Sequence, residues 1–265
     1  MRGVVQSELV RLRRPGFLIG WFGLTGVFAA LINVVMFEVV SSSPSAPTDG
    51  PGVSFPTVAE LLARDGIVAG LGAASSMFGV VALSFWALAA ATDYSSGLVR
   101  LLVAAEPRRW RLVAGKWVAL ALVTAGTVVV ALVVNVAVAP MAATSAGLEP
   151  TAWGTDIVTV ALQAALDLYL ALLVWGTLGL ALAVLTRSAG IAIGVGVGWV
   201  LLLESVIAAA LDDVADWMPG ATIGALAAGG TDAIPQGTAL ALGAAYVGVA
   251  ALATVVTYVR RDITD

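Results

Sequence analysis

The chain of 265 residues is 60% hydrophobic and 11% charged with a net charge of −4, whereas an ordinary soluble domain carries roughly 25% charged residues. So much apolar sequence exceeds what a soluble core of this size buries, which excludes a water-soluble domain in favour of membrane insertion. The lack of cysteine and histidine excludes disulfides, thiol nucleophiles, imidazole bases, thiolate metal sites and haem held by paired histidines.

Residues 1–16 read as an N-terminal amphipathic interfacial helix. Val5, Leu9 and Leu12 stand at i, i+4 and i+7, with Arg11, Arg13 and Arg14 on other faces. The alternative is a basic tail that serves only topology. The apolar run that follows, about 22 residues, is longer than the 7–15 of a signal-peptide core and is read as a retained span.

Six apolar runs reach the ~20 residues needed to cross ~30 Å of hydrocarbon as a helix. They lie at about 17–39, 66–91, 112–138, 157–185, 189–210 and 237–259. Lipid offers no water to unpaired backbone groups, and the alternating pattern of a barrel strand is absent, so the runs are helices. The predicted fold is an all-α integral membrane protein, a single transmembrane domain over 1–265.

Between the spans, residues 41–56 with Pro44, Pro47, Pro51 and Pro56 predict an irregular connection. Thr57 and Glu60 then have capping-box spacing, which predicts a short surface helix leading into span 2. Residues 211–236 hold an apolar run, 221–228, too short to span. It lies on the surface or dips in as a re-entrant element, tolerated only where protein or water covers its backbone ends.

Basic residues in short loops are retained in the cytoplasm. Arg2, Arg11, Arg13, Arg14, Arg100, Arg108, Arg109, Arg111, Lys116, Arg187, Arg260 and Arg261 all fall on one side of the predicted spans, and Arg64 alone falls on the other. Both termini are therefore predicted to be cytoplasmic in a multi-pass plasma-membrane protein.

Asp167 in span 4 and Glu204 in span 5 are the candidate buried ionisable groups of the apolar runs. Counted from the turn near Ser188 they lie ~31 Å and ~24 Å away, in the outer half of the membrane. They line an outward substrate path, or they are hydrated or paired with neighbours such as Gln163 or Ser205. Gly190, Gly194 and Gly198 recur every four residues, which predicts a flat stripe for close helix packing. A P-loop is absent. Near Gly115 and Lys116 its other positions hold Trp110 and Trp117, so no nucleotide site is expected in the chain.

The only sizeable connection on the basic side is TDYSSGLVRLLVAAEPRRWRLVAGK, residues 92–116. It resembles the segment between spans 2 and 3 in membrane subunits of type 2 ABC exporters: an acidic residue, Gly, a basic residue, a Leu pair, Pro, Arg and a final Gly-Lys. Asp93, Gly97, Arg100, Leu101, Leu102, Pro107, Arg109, Gly115 and Lys116 match in order, with Glu106 and Arg108 inside the segment. The acid is more often Glu in that family, and the Pro-to-Arg spacing is one residue tighter than its commonest form.

The resemblance implies a permease subunit with a cytoplasmic coupling helix between spans 2 and 3, paired with a second permease copy, identical or homologous. A separate cytoplasmic ATPase would bind ATP and Mg. The chain would then hold no cofactor or catalytic residue and would export a hydrophobic or amphipathic molecule. Besides the bilayer no further partner follows, and no nucleic acid is expected. On the residues alone the segment is either a docking helix or a topology determinant. Two other functions stay open, an ion-coupled secondary transporter and a membrane scaffold.

Overall fold

A computed structural model describes residues 1–42, 55–154, 156–210 and 212–260, and among these residues the chain is helical with no strand. The expected irregular connection falls largely on residues 43–54, outside the described residues. Among the described residues five helices are long and apolar enough to cross a membrane: α2 (Pro15–Ser42), α5 (Ser75–Ser95), α7 (Arg109–Ser145), α8 (Ile157–Thr186) and α13 (Gln236–Arg260). The chain is thus an all-α protein with the makings of a multi-pass membrane protein.

The N-terminal element is shorter than expected. Helix α1 covers Arg2–Leu12 rather than 1–16, and α2 begins at Pro15, whose missing N–H costs nothing in a first helical turn. Helix α3 (Val58–Leu62) carries the expected capping box. Glu60 N–H donates to Thr57 Oγ1 at 3.3 Å, and Thr57 N–H donates back to Glu60 Oε2 at 2.7 Å.

The run at 66–91 is not one helix. A 3₁₀ turn (Gly66–Val68) and α4 (Ala69–Ala73) precede α5, with the break at Ala74. The turn at Gly66–Val68 leaves the Ile67 carbonyl outside the α-helical pattern, and buried side chains take it up. Asn135 Nδ2 on α7 donates to the Ile67 carbonyl at 2.7 Å, while Asn33 Nδ2 on α2 donates to Asn135 Oδ1 at 2.8 Å. Both asparagines are fully buried, so this pairing is what makes the interruption tolerable in an apolar interior. Gly70 lies against the pair, and a Cβ there would stand 2.5 Å from Asn135 Oδ1.

The expected span at 189–210 is helical throughout but not regular: α9 (Ala189–Gly198) runs through a π-helical turn (Trp199–Leu203) into α10 (Glu204–Ala210). A four-residue helix α11 (Asp212–Ala215) follows, then α12 (Pro219–Ala227), which covers the apolar run at 221–228. Thr222, Ile223, Ala225, Leu226 and Ala227 of α12 are buried in the bundle, so protein covers this element and it is not a surface helix.

The most extensive helix contact among the described residues is α5 with α8, where glycines meet tryptophans. A Cβ on Gly176 would lie 2.4 Å from the Trp86 indole, and one on Gly79 would lie 2.3 Å from that of Trp175. Gly179 approaches the Leu83 backbone so closely that its Cβ would meet the carbonyl oxygen at 2.4 Å. Between helices that both prefer lipid, such shape fit replaces the hydrophobic drive of a soluble core. Two indoles also find hydroxyl acceptors: buried Trp86 donates from Nε1 to Thr124 Oγ1 at 3.0 Å, and half-buried Trp117 to Thr177 Oγ1 at 2.8 Å.

Candidate functional site

Helix α6 (Leu98–Ala105) sits at the end of the bundle where the basic residues gather. Gly97 starts it with φ 68, a left-handed conformation that strains residues with a Cβ and fits the glycine of the signature. Glu106 and Pro107 end it. The Glu106 carboxylate accepts the Arg108 backbone N–H at 3.3 Å and faces Arg111 at 3.7 Å, and α7 begins at Arg109. Val99 is buried and Leu102 faces a small cavity beside Tyr94 and Tyr258. The opposite face is open. Arg100, Leu101, Pro107, Arg108 and Trp110 are exposed, and Leu101 keeps 68% of its surface in the single chain.

The two ends of this segment meet in a buried cluster of four charges. Lys116 Nζ lies 2.7 Å from Glu8 Oε2 and 2.8 Å from Asp93 Oδ2. Arg11 bonds Glu8 at 2.5 Å and also pairs with Asp93, so each carboxylate is bound by both cations. Glu8 and Asp93 are each 3% exposed, a burial that carboxylates accept only when fully paired. The cluster joins α1 to the end of α5 and the start of α7. Gly115 permits it, since a Cβ there would stand 2.5 Å from Val4 Cγ1 of α1.

This geometry divides the signature residues. Asp93, Gly115 and Lys116 face inward and hold helices together, which removes them from any external docking surface. Arg109 donates to the Tyr258 and Val259 carbonyls at 3.4 and 3.2 Å, capping the last turn of α13. Arg100, Leu101, Pro107 and Arg108 face outward. Arg11 does not share a solvent face with Arg13 and Arg14, because α1 turns it toward Asp93. The sequence reading passed over Glu8 altogether. Its one signal was its standing as the lone acid of a basic, amphipathic helix.

The two intramembrane candidates do separate work elsewhere. Asp167 accepts a hydrogen bond from Gln236 Nε2 at 2.9 Å, so its partner is the first residue of α13 and not Gln163. Glu204 is nearly buried and caps α12: it accepts the Gly220 N–H at 2.9 Å, and also bonds the Ala221 N–H and the Trp199 side chain. Trp199 and Glu204 are five residues apart, the pair that a π turn brings together. A Cβ on Gly220 would lie 2.1 Å from Glu204 Oε2, so a side chain there would have to displace the capping carboxylate. Tyr246 of α13 donates its hydroxyl to the Trp217 carbonyl at the same end of α12.

Gly190, Gly194 and Gly198 meet nothing within 4 Å, so packing inside the chain does not use them. Ala192 and Gly196, two residues out of phase, are the buried positions of α9, and a Cβ on Gly196 would meet Leu83 at 2.6 Å. The stripe was legible as a spacing, but its direction was not. Among the described residues no group of three or more acidic side chains is placed to hold a metal ion.

Among curated proteins none matches this chain. One family model, described as Protein of unknown function (DUF2705), matches residues 27–216, more than half of the sequence, and the chain belongs to that family.

Proposed function

We propose that this chain is the membrane-spanning subunit of an ATP-driven ABC exporter. In this reading it crosses the bilayer six times, counting the irregular 189–210 segment, with both termini in the cytoplasm. Two permease copies bound the path of a hydrophobic or amphipathic substrate. A separate cytoplasmic ATPase binds ATP and Mg, and this chain holds neither.

The observation that carries the proposal is α6: a short helix whose outer face presents Arg100, Leu101 and, just beyond it, Arg108, on a segment in the residue order of an exporter coupling helix. Its mounting supports the same reading. Asp93 just before the segment's first turn and Lys116 just after its last are locked in one buried cluster, so a push on α6 is passed to α1, α5 and α7 and is not absorbed by a loose loop. An ion-coupled carrier would need carboxylates free to change partners. Asp167 and Glu204 are instead engaged with Gln236 and with the N-terminus of α12.

The test is charge reversal of the outward arginines, Arg100→Glu with Arg108→Glu, in a chain co-expressed with a candidate Walker-motif ATPase. Arg109 is unsuitable because reversing it would also uncap α13. Complex recovery and ATP hydrolysis should fall at least tenfold, since a mispaired charge at a desolvated interface costs several kcal/mol. Wild-type recovery and hydrolysis in a correctly inserted double variant would exclude the docking role.

A further inference from the structure

Helix α1 has one acidic residue, Glu8, and the buried cluster sequesters it between Arg11 and Lys116. What remains outside is positive only. Arg2, Gln6, Val10 and Arg13 follow one another at spacings of four, four and three residues, which puts them on one stripe, opposite the buried Glu8 and Leu12. All four are exposed, as are Arg14 and the Met1 amino group, and among the described residues none of these cationic groups has an acidic partner.

The position of this stripe follows from α2. Ile19, Leu24, Val27, Leu31 and Val34 are exposed on a 28-residue apolar helix that starts at Pro15, so they mark the face that meets hydrocarbon. Ile19 is only ~6 Å along the axis from Pro15. Arg13 and Arg14 therefore stand at the headgroup boundary, and α1, tied to α5 and α7, holds its basic stripe at the same level.

We propose that the outward face of α1, with Arg2, Arg13 and Arg14, is a docking surface for anionic phospholipid headgroups. The chemistry is phosphate recognition by guanidinium groups next to an apolar side chain, Val10, that can enter the acyl boundary. The buried cluster does two things for this surface: it fixes the angle of α1 and removes the carboxylate that would repel a phosphate. The proposal rests on membrane insertion alone and not on the exporter reading.

The full-length chain is purified into micelles holding equal amounts of phosphatidylglycerol and phosphatidylcholine, and the retained lipid is measured by native mass spectrometry. The wild type should retain phosphatidylglycerol in several-fold excess. Arg13→Gln should lower that excess by up to about fivefold, the factor that one basic side chain contributes at an anionic surface. Arg13→Lys should keep it, and the triple Gln variant of Arg2, Arg13 and Arg14 should abolish it. Equal retention of the two lipids by the wild type would overturn the proposal. So would an unchanged preference in the triple variant, or a preference lost on Arg100→Gln but kept on Arg13→Gln. None of these measurements involves an ATPase, so they leave the exporter reading untouched.

Discussion

Replacing Lys116 by Met tests the charge cluster most directly. The ammonium is the second cation for two carboxylates at 2.7 and 2.8 Å, in a site where Glu8 and Asp93 are almost wholly removed from solvent. Methionine keeps all but the last atom of the side chain's length and removes the charge, which leaves two buried carboxylates to share Arg11. Breaking a buried pair by removing one partner costs about 3–5 kcal/mol, because the remaining charge stays desolvated. For a chain of this length that corresponds to a drop in Tm of roughly 10 °C. The assay is thermal or SDS-induced unfolding of the purified protein in mixed micelles, read beside Glu8→Gln and the double variant. The double variant restores the charge balance and should recover about 1–3 kcal/mol relative to additivity. A Lys116→Met protein as stable as the wild type, with additive behaviour in the double variant, would refute the cluster as a structural joint and with it the rigid mounting of α6.

Gly176→Leu should cost several kcal/mol of stability in the same assay, because its side chain must enter the space held by the Trp86 indole. Gly194→Leu should leave the stability of the monomer unchanged, and loss of dimer recovery with that variant would assign the outward stripe to the second copy. Asn135→Leu should destabilise by about 1–3 kcal/mol, since it strands the buried Ile67 carbonyl, and unchanged melting would show that the turn at Gly66–Val68 needs no partner. For topology, cysteines introduced singly at Asp232 and Ser95 in this cysteine-free chain should differ: an impermeant thiol reagent applied to intact cells should label the first and spare the second, and the reverse pattern would invert the orientation.

The pattern of long apolar runs and one-sided arginines was enough to read an all-α membrane protein with helices close to α2, α7, α8 and α13, because a lipid-crossing helix needs only length and apolarity, both local properties of sequence. The capping box at Thr57 was legible for the same reason: its partners are three residues apart. The α6 segment was legible only as the connection 92–116, within which Gly97 and Pro107 set the ends of the helix through their own backbones. What the sequence could not decide was direction. Whether Asp93 and Lys116 turn out toward a partner or inward to Glu8 depends on where α1 comes to rest, and Glu8 is 108 residues from Lys116. Hydropathy does not register the turn at Gly66–Val68, which Asn135 and Asn33 accommodate from other helices, or the π turn that brings Trp199 to Glu204 within 189–210. The working glycines, Gly79, Gly176, Gly179 and Gly196, form no visible repeat, and each is defined by the tryptophan or leucine that packs on it. Apolarity belongs to each segment alone, but partners for buried polar groups and space for large side chains belong to pairs of segments, and only the tertiary structure brings those pairs together.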